Sequence, residues 1–328
     1  MKVASLDESA LDPCIEEYPR WLSIIDELKL KAFVELTMAR SVREGMAHLI
    51  RVSGLGGMKP NTICLGFFDE TQPQDTYMDN RPRKRRHFIP NLDDSDAESE
   101  ISGFPSVRGS TDDKLVNSDE YIAMLQDIVK MKKNVCLFRY FQKLDKKLLM
   151  RDRRPHYIDV WPVNFFRPES SQYFDSTCLF LLQLACILHM TRDWRKRTRL
   201  RIFVCVEEHA EDTQRKRKKL QDLLEQLRII GDIVPVPWQH VTSVLQESDY
   251  VHYDQSADVL LPDDYVTRVN QLVRQHSEQA AVLFLYLPKV PMERQGQYNY
   301  LKQLDRMTTH LPPTVLVHGI RPVTSTTL

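Results

Sequence analysis

The segment from Ser41 to Phe67, SVREGMAHLIRVSGLGGMKPNTICLGF, constrains the fold more tightly than any other part of the chain. Met46, Leu49, Ile50 and Leu55 recur at helical spacing and run into a glycine cluster. Gly54, Gly56 and Gly57 can take the positive φ that a helix stop requires. Pro60 then forbids further helix, and the residues up to Phe67 are apolar and β-prone. The spacing predicts helix, tight turn, strand. A phosphate-cradling glycine loop runs the other way, from strand through glycines into a helix N-terminus. The order therefore argues for a helix cap and crossover rather than a nucleotide loop.

Short apolar strands alternating with helices continue along the chain, the pattern of parallel sheets covered on both faces. The expectation is an α/β fold: two tandem α/β subdomains with mostly parallel sheets flanked by helices, plus a long disordered loop. After an N-terminal lead (1–17), the first subdomain covers 18–142. It has a helix near Tyr18–Leu28, a strand at Lys31–Leu36, helix Val42–Val52 and strand Asn61–Phe67. Helix Glu120–Met131 and strand Val135–Phe141 complete it. Residues 69–117 are rich in Pro, Ser, Gly, Asp and Arg without sustained periodicity, and read as disordered. A lysine-rich connector (143–155) leads to the second subdomain, 156–328. That unit starts with strand Tyr157–Val163, helix Ser176–Met190 and strand Leu200–Val206. Helix Asp212–Arg228, a proline-bounded strand at Ile233–Val236 and helix Gln239–Leu245 follow, then a polar insertion, Ser248–Pro262. Helix Asp263–His276, strand Ala281–Leu287, helix Tyr298–His310 and strand Thr314–His318 close the chain.

Several motifs in these segments resemble the cytosolic C-terminal domain of the cation–chloride cotransporters, solute carrier family 12. REG-x-x-H-L-I-x-x-x-GLGGMKPNT-x-x-LGF is similar to the family's helix ending in GLG-x-MKPN before a core strand. Tyr157–Trp161, YIDVW, resembles its IDVW strand, and LRIFV within Arg199–Val204 its KIRVF-type strand. Leu311–Gly319 resembles the LPP-x-LLV-R-G terminus, with His318 where an Arg is usual. The VWP after Asp159 is also like a divergent branch of the family. The matches are colinear across most of the chain. The family-motif residues are thus Gly54, Gly56, Gly57, Met58, Lys59, Pro60, Asn61, Asp159, Trp161 and Gly319.

The resemblance implies a non-catalytic regulatory and dimerisation domain hanging below the membrane part of an electroneutral cotransporter. Its partners would be its own transmembrane domain, a second copy or other cotransporters, and an anionic membrane surface. The chain would be a cytosolic fragment lacking the transmembrane helices and the family's first strand and helix. The longest apolar run, Cys178–Leu188, is shorter than the roughly 20 residues a spanning helix needs. Residues Tyr298, Tyr300, Leu301 and Leu304 are a candidate dimer stripe.

Composition and motif searches oppose the other classes. With 45 basic and 45 acidic side chains the net charge is zero, which argues against a nucleic-acid binder. Six scattered cysteines (14, 64, 136, 178, 186 and 205) show no CxxC or Cys/His ligand spacing, so reduced thiols and no metal or other cofactor are expected. No G-x-S-x-G elbow or HExxH stands out, and no catalytic residue is assigned. Asp159 reads as a helix-capping or turn carboxylate, and His318 as a strand end. The alternative is a soluble, universal-stress-like nucleotide-binding module, but its glycine-rich phosphate segment is missing after Leu287. Three basic runs, Arg81–Arg86, Arg192–Arg201 and Arg215–Lys219, read as solvated charge or as contacts to anionic lipid. Ser95 and Ser99, within the acidic stretch from Asp93, suit acidophilic kinases and are candidate phosphorylation sites.

Overall fold

The computed structural model describes residues 12–69, 116–145, 149, 151–152, 154–168, 175–207, 210–247, 261–292 and 294–321. Most of the expected loop lies outside these residues, including Ser95, Ser99 and the basic run at 81–86. So does most of the insertion after Glu247.

The described residues fall into two compact units, one ending at Lys59 and the other starting at Pro60 and resuming at Ser118. The first holds helices α1 (Pro13–Leu28) and α2 (Val42–Val52). Asp12 caps α1, accepting from the Cys14 amide, and Pro13 sits at the first turn, where its missing N–H costs nothing. Helix α2 has the expected bounds. The Ser41 hydroxyl accepts from the Glu44 amide at 3.1 Å, and the Glu44 carboxylate accepts from the Arg40 amide at 2.9 Å. This is a close variant of the capping box.

The strand expected at Lys31–Leu36 does not form. Lys29 ends α1 in the left-handed region (φ 52°), and the chain from Leu30 to Ala39 is irregular. A strand needs a neighbour to satisfy its amides. Among the described residues no other strand pairs with this segment, and Phe33 is 99% exposed.

The second unit is built on one seven-stranded sheet in the order β1-β2-β7-β6-β3-β4-β5. The strands are β1 (Thr62–Gly66), β2 (Asn134–Arg139), β3 (His156–Trp161), β4 (Thr198–Val206), β5 (Asp232–Pro237), β6 (Ala280–Tyr286) and β7 (Thr314–His318). The helices are α3 (Ser118–Lys130), α4 (Ser176–Met190), α5 (Arg192–Arg197), α6 (Ala210–Gln226), α7 (Gln239–Glu247), α8 (Asp263–Ser277) and α9 (Arg294–Thr308). All neighbours are parallel except β2 and β7, which run antiparallel. The fold is α/β with a mostly parallel sheet, as the alternation predicts. Strands expected in separate subdomains share this sheet, because β2 pairs from Val135 to Arg139 with the last strand rather than closing a sheet of its own. The chain divides near Lys59, not at the connector 143–155.

The interior follows from position in the sheet. All seven residues of β6 are buried, as are the last four of β3 and the first four of β7. Central strands covered on both faces read as continuous apolar runs. The marginal strands β1 and β5 show mixed burial, and β5 carries Pro235 and Pro237. Helix α4 packs across β3, β4, β6 and β7. It buries Phe180, Leu181, Leu182 and Ala185 and leaves Ile187 and Met190 exposed, so one side of it is buried.

The N-terminus of α4 grips the chain just past β7. Ser176 Oγ and Thr177 Oγ1 donate to the Gly319 carbonyl at 2.8 and 3.0 Å, and the Gly319 amide donates back to Thr177 Oγ1 at 3.1 Å. Asn134 Oδ1 accepts from the amides of Ile320 and Arg321, holding the same segment from β2. A Cβ at Gly319 would lie 2.5 Å from Phe180 Cβ and 2.9 Å from the Ser176 carbonyl oxygen. Neither atom is the free end of a flexible side chain. Gly319→Ala is expected to cost about 1–3 kcal/mol through overpacking, read as a lower urea midpoint at unchanged slope.

Candidate functional site

The family-motif residues occupy three separate places. The first is the glycine corner. Helix α2 ends at Val52, and Ser53 (φ −62°, ψ 139°) precedes Gly54 (φ 80°), the dihedrals of a type II turn with glycine where positive φ is needed. Gly56 (φ 54°) has nothing within 4 Å of its missing Cβ, so backbone conformation alone asks for glycine there. Gly56–Met58 form one 3-10 turn, closed by the Met58 amide on the Leu55 carbonyl at 2.9 Å. Lys59 is extended before Pro60, and Asn61 leads into β1. The order helix, turn, strand is the one predicted. Leu55 and Met58 are each 81% exposed.

From Pro60 onward the corner's outlet is held by the sheet. The Pro60 carbonyl accepts from Lys133 Nζ at 2.6 Å, and the Asn61 carbonyl accepts from the Asn134 amide at 2.9 Å. On the far side of β1, the Tyr121 hydroxyl of α3 donates to the Gly66 carbonyl at 2.7 Å.

The second place is the centre of the sheet. Asp159 is fully buried on β3 and faces Arg201, its register partner on β4. Arg201 Nε and Nη2 donate to the two carboxylate oxygens at 2.8 and 2.7 Å, a bidentate pair. The guanidinium also lies over the Tyr157 ring at 3.8 Å. Trp161 stacks on Phe203 with centroids 4.5 Å apart and donates from its indole N–H to Ser277 Oγ at 3.0 Å. Burial pushes the Asp159 carboxyl upward, against the pull of Arg201, Ser277 and His276. Asp159 is thus neither a helix cap nor a turn residue but half of an interior ion pair. Arg201 and Ser277 escaped the sequence reading, because Arg201 was absorbed into a basic run. The usable signal was one opposite charge in each of two apolar strands, YIDVW and LRIFV.

The third place is Gly319, described above, with His318 ending β7 as expected. The His318 ring, with Nδ1 as donor, lies 3.1 Å from the Leu287 carbonyl. Burial pushes its pKa down, partly offset by that carbonyl and by Asp175.

In open α/β sheets ligands sit beyond the carboxyl ends of strands where the order reverses, here between β3 and β6. The described residues at that point are filled in: Trp161, Val163, Phe165 and Leu287 are all buried. The Tyr265 and Tyr300 hydroxyls donate to the carbonyls of Phe165 and Pro288, both at 2.8 Å. Among the described residues no group of three or more His, Cys, Asp or Glu is placed to hold a metal ion. A groove at the turn from α6 to β5 is lined by Arg217, Gln221, Glu225 and the residues from Ile229 to Ile233, without a convergent polar set.

Two other expectations meet the structure here. Of the candidate dimer stripe, Tyr300, Leu301 and Leu304 are buried and only Tyr298 is exposed, because this face of α9 packs into its own unit. The run Arg192–Arg201 is not a uniform basic strip. Arg197 donates to the Asp152 carbonyl, Arg201 is bound to Asp159, and Trp194 is buried.

Removing one partner of a buried ion pair strands the other charge. Asp159→Ala is expected to destabilise by about 3–5 kcal/mol in chemical denaturation, and Asp159→Leu with Arg201→Leu by much less. The His318 pKa is lower folded than unfolded, so its contribution is present above about pH 6.5 and lost as pH falls below it. The melting temperature should therefore fall from pH 7 to pH 5.5, with a shallower slope in His318→Asn.

The sequence comparisons with known proteins agree with the colinear motifs. The model of solute carrier family 12 matches residues 4–77. The chain is 40% identical to solute carrier family 12 member 9 of Danio rerio over 100% of its own length and 37% of that protein's. It is 36% identical to solute carrier family 12 member 9 of Homo sapiens, over 99% of its own length and 38% of that protein's. It thus spans little more than a third of the length of these two relatives. A crystal structure described as the cytoplasmic domain of a prokaryotic cation chloride cotransporter overlays with a TM-score of 0.47 at 12% identity, covering 95% of this chain and 82% of that one. Among the described residues, no helix is long and apolar enough to cross a membrane. Identity running from end to end, with the family model falling on the segment that contains the glycine corner, means that this chain belongs to solute carrier family 12, the cation–chloride cotransporters.

Proposed function

We propose that the chain is the cytosolic C-terminal regulatory and dimerisation domain of an electroneutral cation–chloride cotransporter, and that it carries out no catalysis of its own. The observation that carries this reading is the similarity to part of the member 9 proteins, 40% and 36% identical over 100% and 99% of the chain. The filled crevice between β3 and β6 supports it, since the place where an α/β enzyme would hold a ligand contains the chain's own aromatic and aliphatic side chains. Ion coupling would belong to membrane helices joined to this domain. The domain would act by biasing how those helices pack and cycle, through contacts with a second copy or another cotransporter. The exposed Arg217, Lys218 and Lys219 of α6 suit the anionic face of a membrane, where each basic side chain gains about 1 kcal/mol.

Two measurements test the reading together. Light scattering on the purified 328-residue chain should give a dimer at micromolar concentration. Chloride-dependent cation uptake by the parent transporter should change when this domain is deleted. A strict monomer combined with unaltered uptake would overturn the regulatory assignment, and micromolar binding of ATP, ADP or NAD in calorimetry would replace it with a nucleotide-binding one.

A further inference from the structure

Cys64 and Cys136 are register partners on the parallel strands β1 and β2. Partner residues project to the same side of a sheet. Their neighbours, Ile63 with Val135 and Leu65 with Leu137, project to the other side. The two thiol groups lie close enough to influence each other's ionisation. Cys64 is exposed and Cys136 is buried at 1% exposure. Cys178 and Cys205 are buried on α4 and β4, while Cys14 and Cys186 are half-buried on α1 and α4.

We propose that Cys64 and Cys136 form a peroxide-responsive pair, in which Cys64 is oxidised first and Cys136 resolves it into a disulfide across β1 and β2. The Cys64 thiolate attacks one oxygen of a hydroperoxide and the O–O bond breaks. Cys64 becomes a sulfenic acid, and the second oxygen leaves as an alcohol, or as water when the oxidant is hydrogen peroxide. The Cys136 sulfur then attacks the Cys64 sulfur and the S–O bond breaks. Water departs with the Cys136 proton. Two thiols are oxidised and one peroxide is reduced.

The division of roles follows from the surroundings. The Cys136 thiol beside it holds the Cys64 thiol down to about 7, against the opposing effect of burial. Cys136 is pushed far up by Cys64 and by burial, so it waits as the thiol. Adjacent strands lie about 4.7–4.9 Å apart, at the short end of the Cα separation a disulfide tolerates, roughly 4.4–6.8 Å. Such a bridge forms without moving the backbone far and stays easily reduced. It would tie the strand leaving the glycine corner to β2, its neighbour in the sheet. This inference stands on the sheet alone and does not depend on the transporter reading.

The test treats the reduced full chain with stoichiometric hydrogen peroxide at pH 7.4 and maps the cysteines by mass spectrometry. A Cys64–Cys136 cross-link that dithiothreitol reverses is expected. In Cys136→Ser, dimedone should trap a sulfenic acid at Cys64; in Cys64→Ser, position 136 should stay a thiol. A thiol near 7 is mostly ionised at pH 7.4, whereas one above 9 is only a few per cent ionised. After allowing for weaker nucleophilicity, Cys64 should react about threefold faster than Cys14, whose thiol burial and Asp12 push up. In denaturant the difference should vanish. Oxidation of Cys14 or Cys186 ahead of Cys64 in the folded wild-type chain would overturn the proposal. So would a bridge between two copies through Cys64, or a Cys64 sulfenic acid that never links to Cys136.

Discussion

The antiparallel seam between β2 and β7 is the contact on which the second unit depends. Five register pairs, from Val135 with His318 to Arg139 with Thr314, join a strand from the first half of the chain to the last strand described. Without them the pair β1 and β2 would be an isolated two-stranded ribbon, marginal in water. The seam is reinforced at both ends by side chains that cross it. At one end Asn134 holds the amides of Ile320 and Arg321, and its own amide bonds the Asn61 carbonyl. At the other, Arg139 reaches the Thr308 hydroxyl at 2.6 Å and the Asp305 carboxylate at 2.5 Å. The chain's start and end in this unit are therefore parts of one cooperative structure.

On the opposite half of the sheet, a polar pair sits inside an apolar interior. Asp159 and Arg201 satisfy each other in a bidentate geometry, and Arg201 Nη2 also reaches the His276 carbonyl at 3.4 Å. A buried ion pair is weak evidence for net stability, because desolvation offsets much of the attraction. What the pair does impose is register: a slip of β3 against β4 would leave two charges without partners in the core.

Local patterns made much of this legible. Helix α2, helix α4 and strand β7 have the bounds that the local pattern predicts, and in the structure Ser41 and Asp175 cap the two helices through residues close in sequence. The corner itself was legible for the same reason. The single sheet was not, since nothing within β2 announces that its neighbour lies more than 170 residues away. The strand expected at Lys31–Leu36 failed for the complementary reason: its composition suits a sheet, but a partner is a property of the fold. Asp159 was recognised as a motif residue, yet its role needed Arg201, which a run of arginines hid. Tyr300, Leu301 and Leu304 read equally well as an interface or as core, and only packing distinguishes the two.

The two margins of the sheet differ in one further respect. Trp238 donates its amide inward to the Val206 carbonyl, so by the alternation of strand amides the odd-numbered residues of β5 point outward. Pro235 and Pro237 therefore remove the very donors that an incoming strand would seek on that side. Thr62–Gly66, at the opposite margin, has no proline. Lateral recruitment of another β-segment, whether from the same polypeptide or from a different one, is thereby directed to the β1 flank.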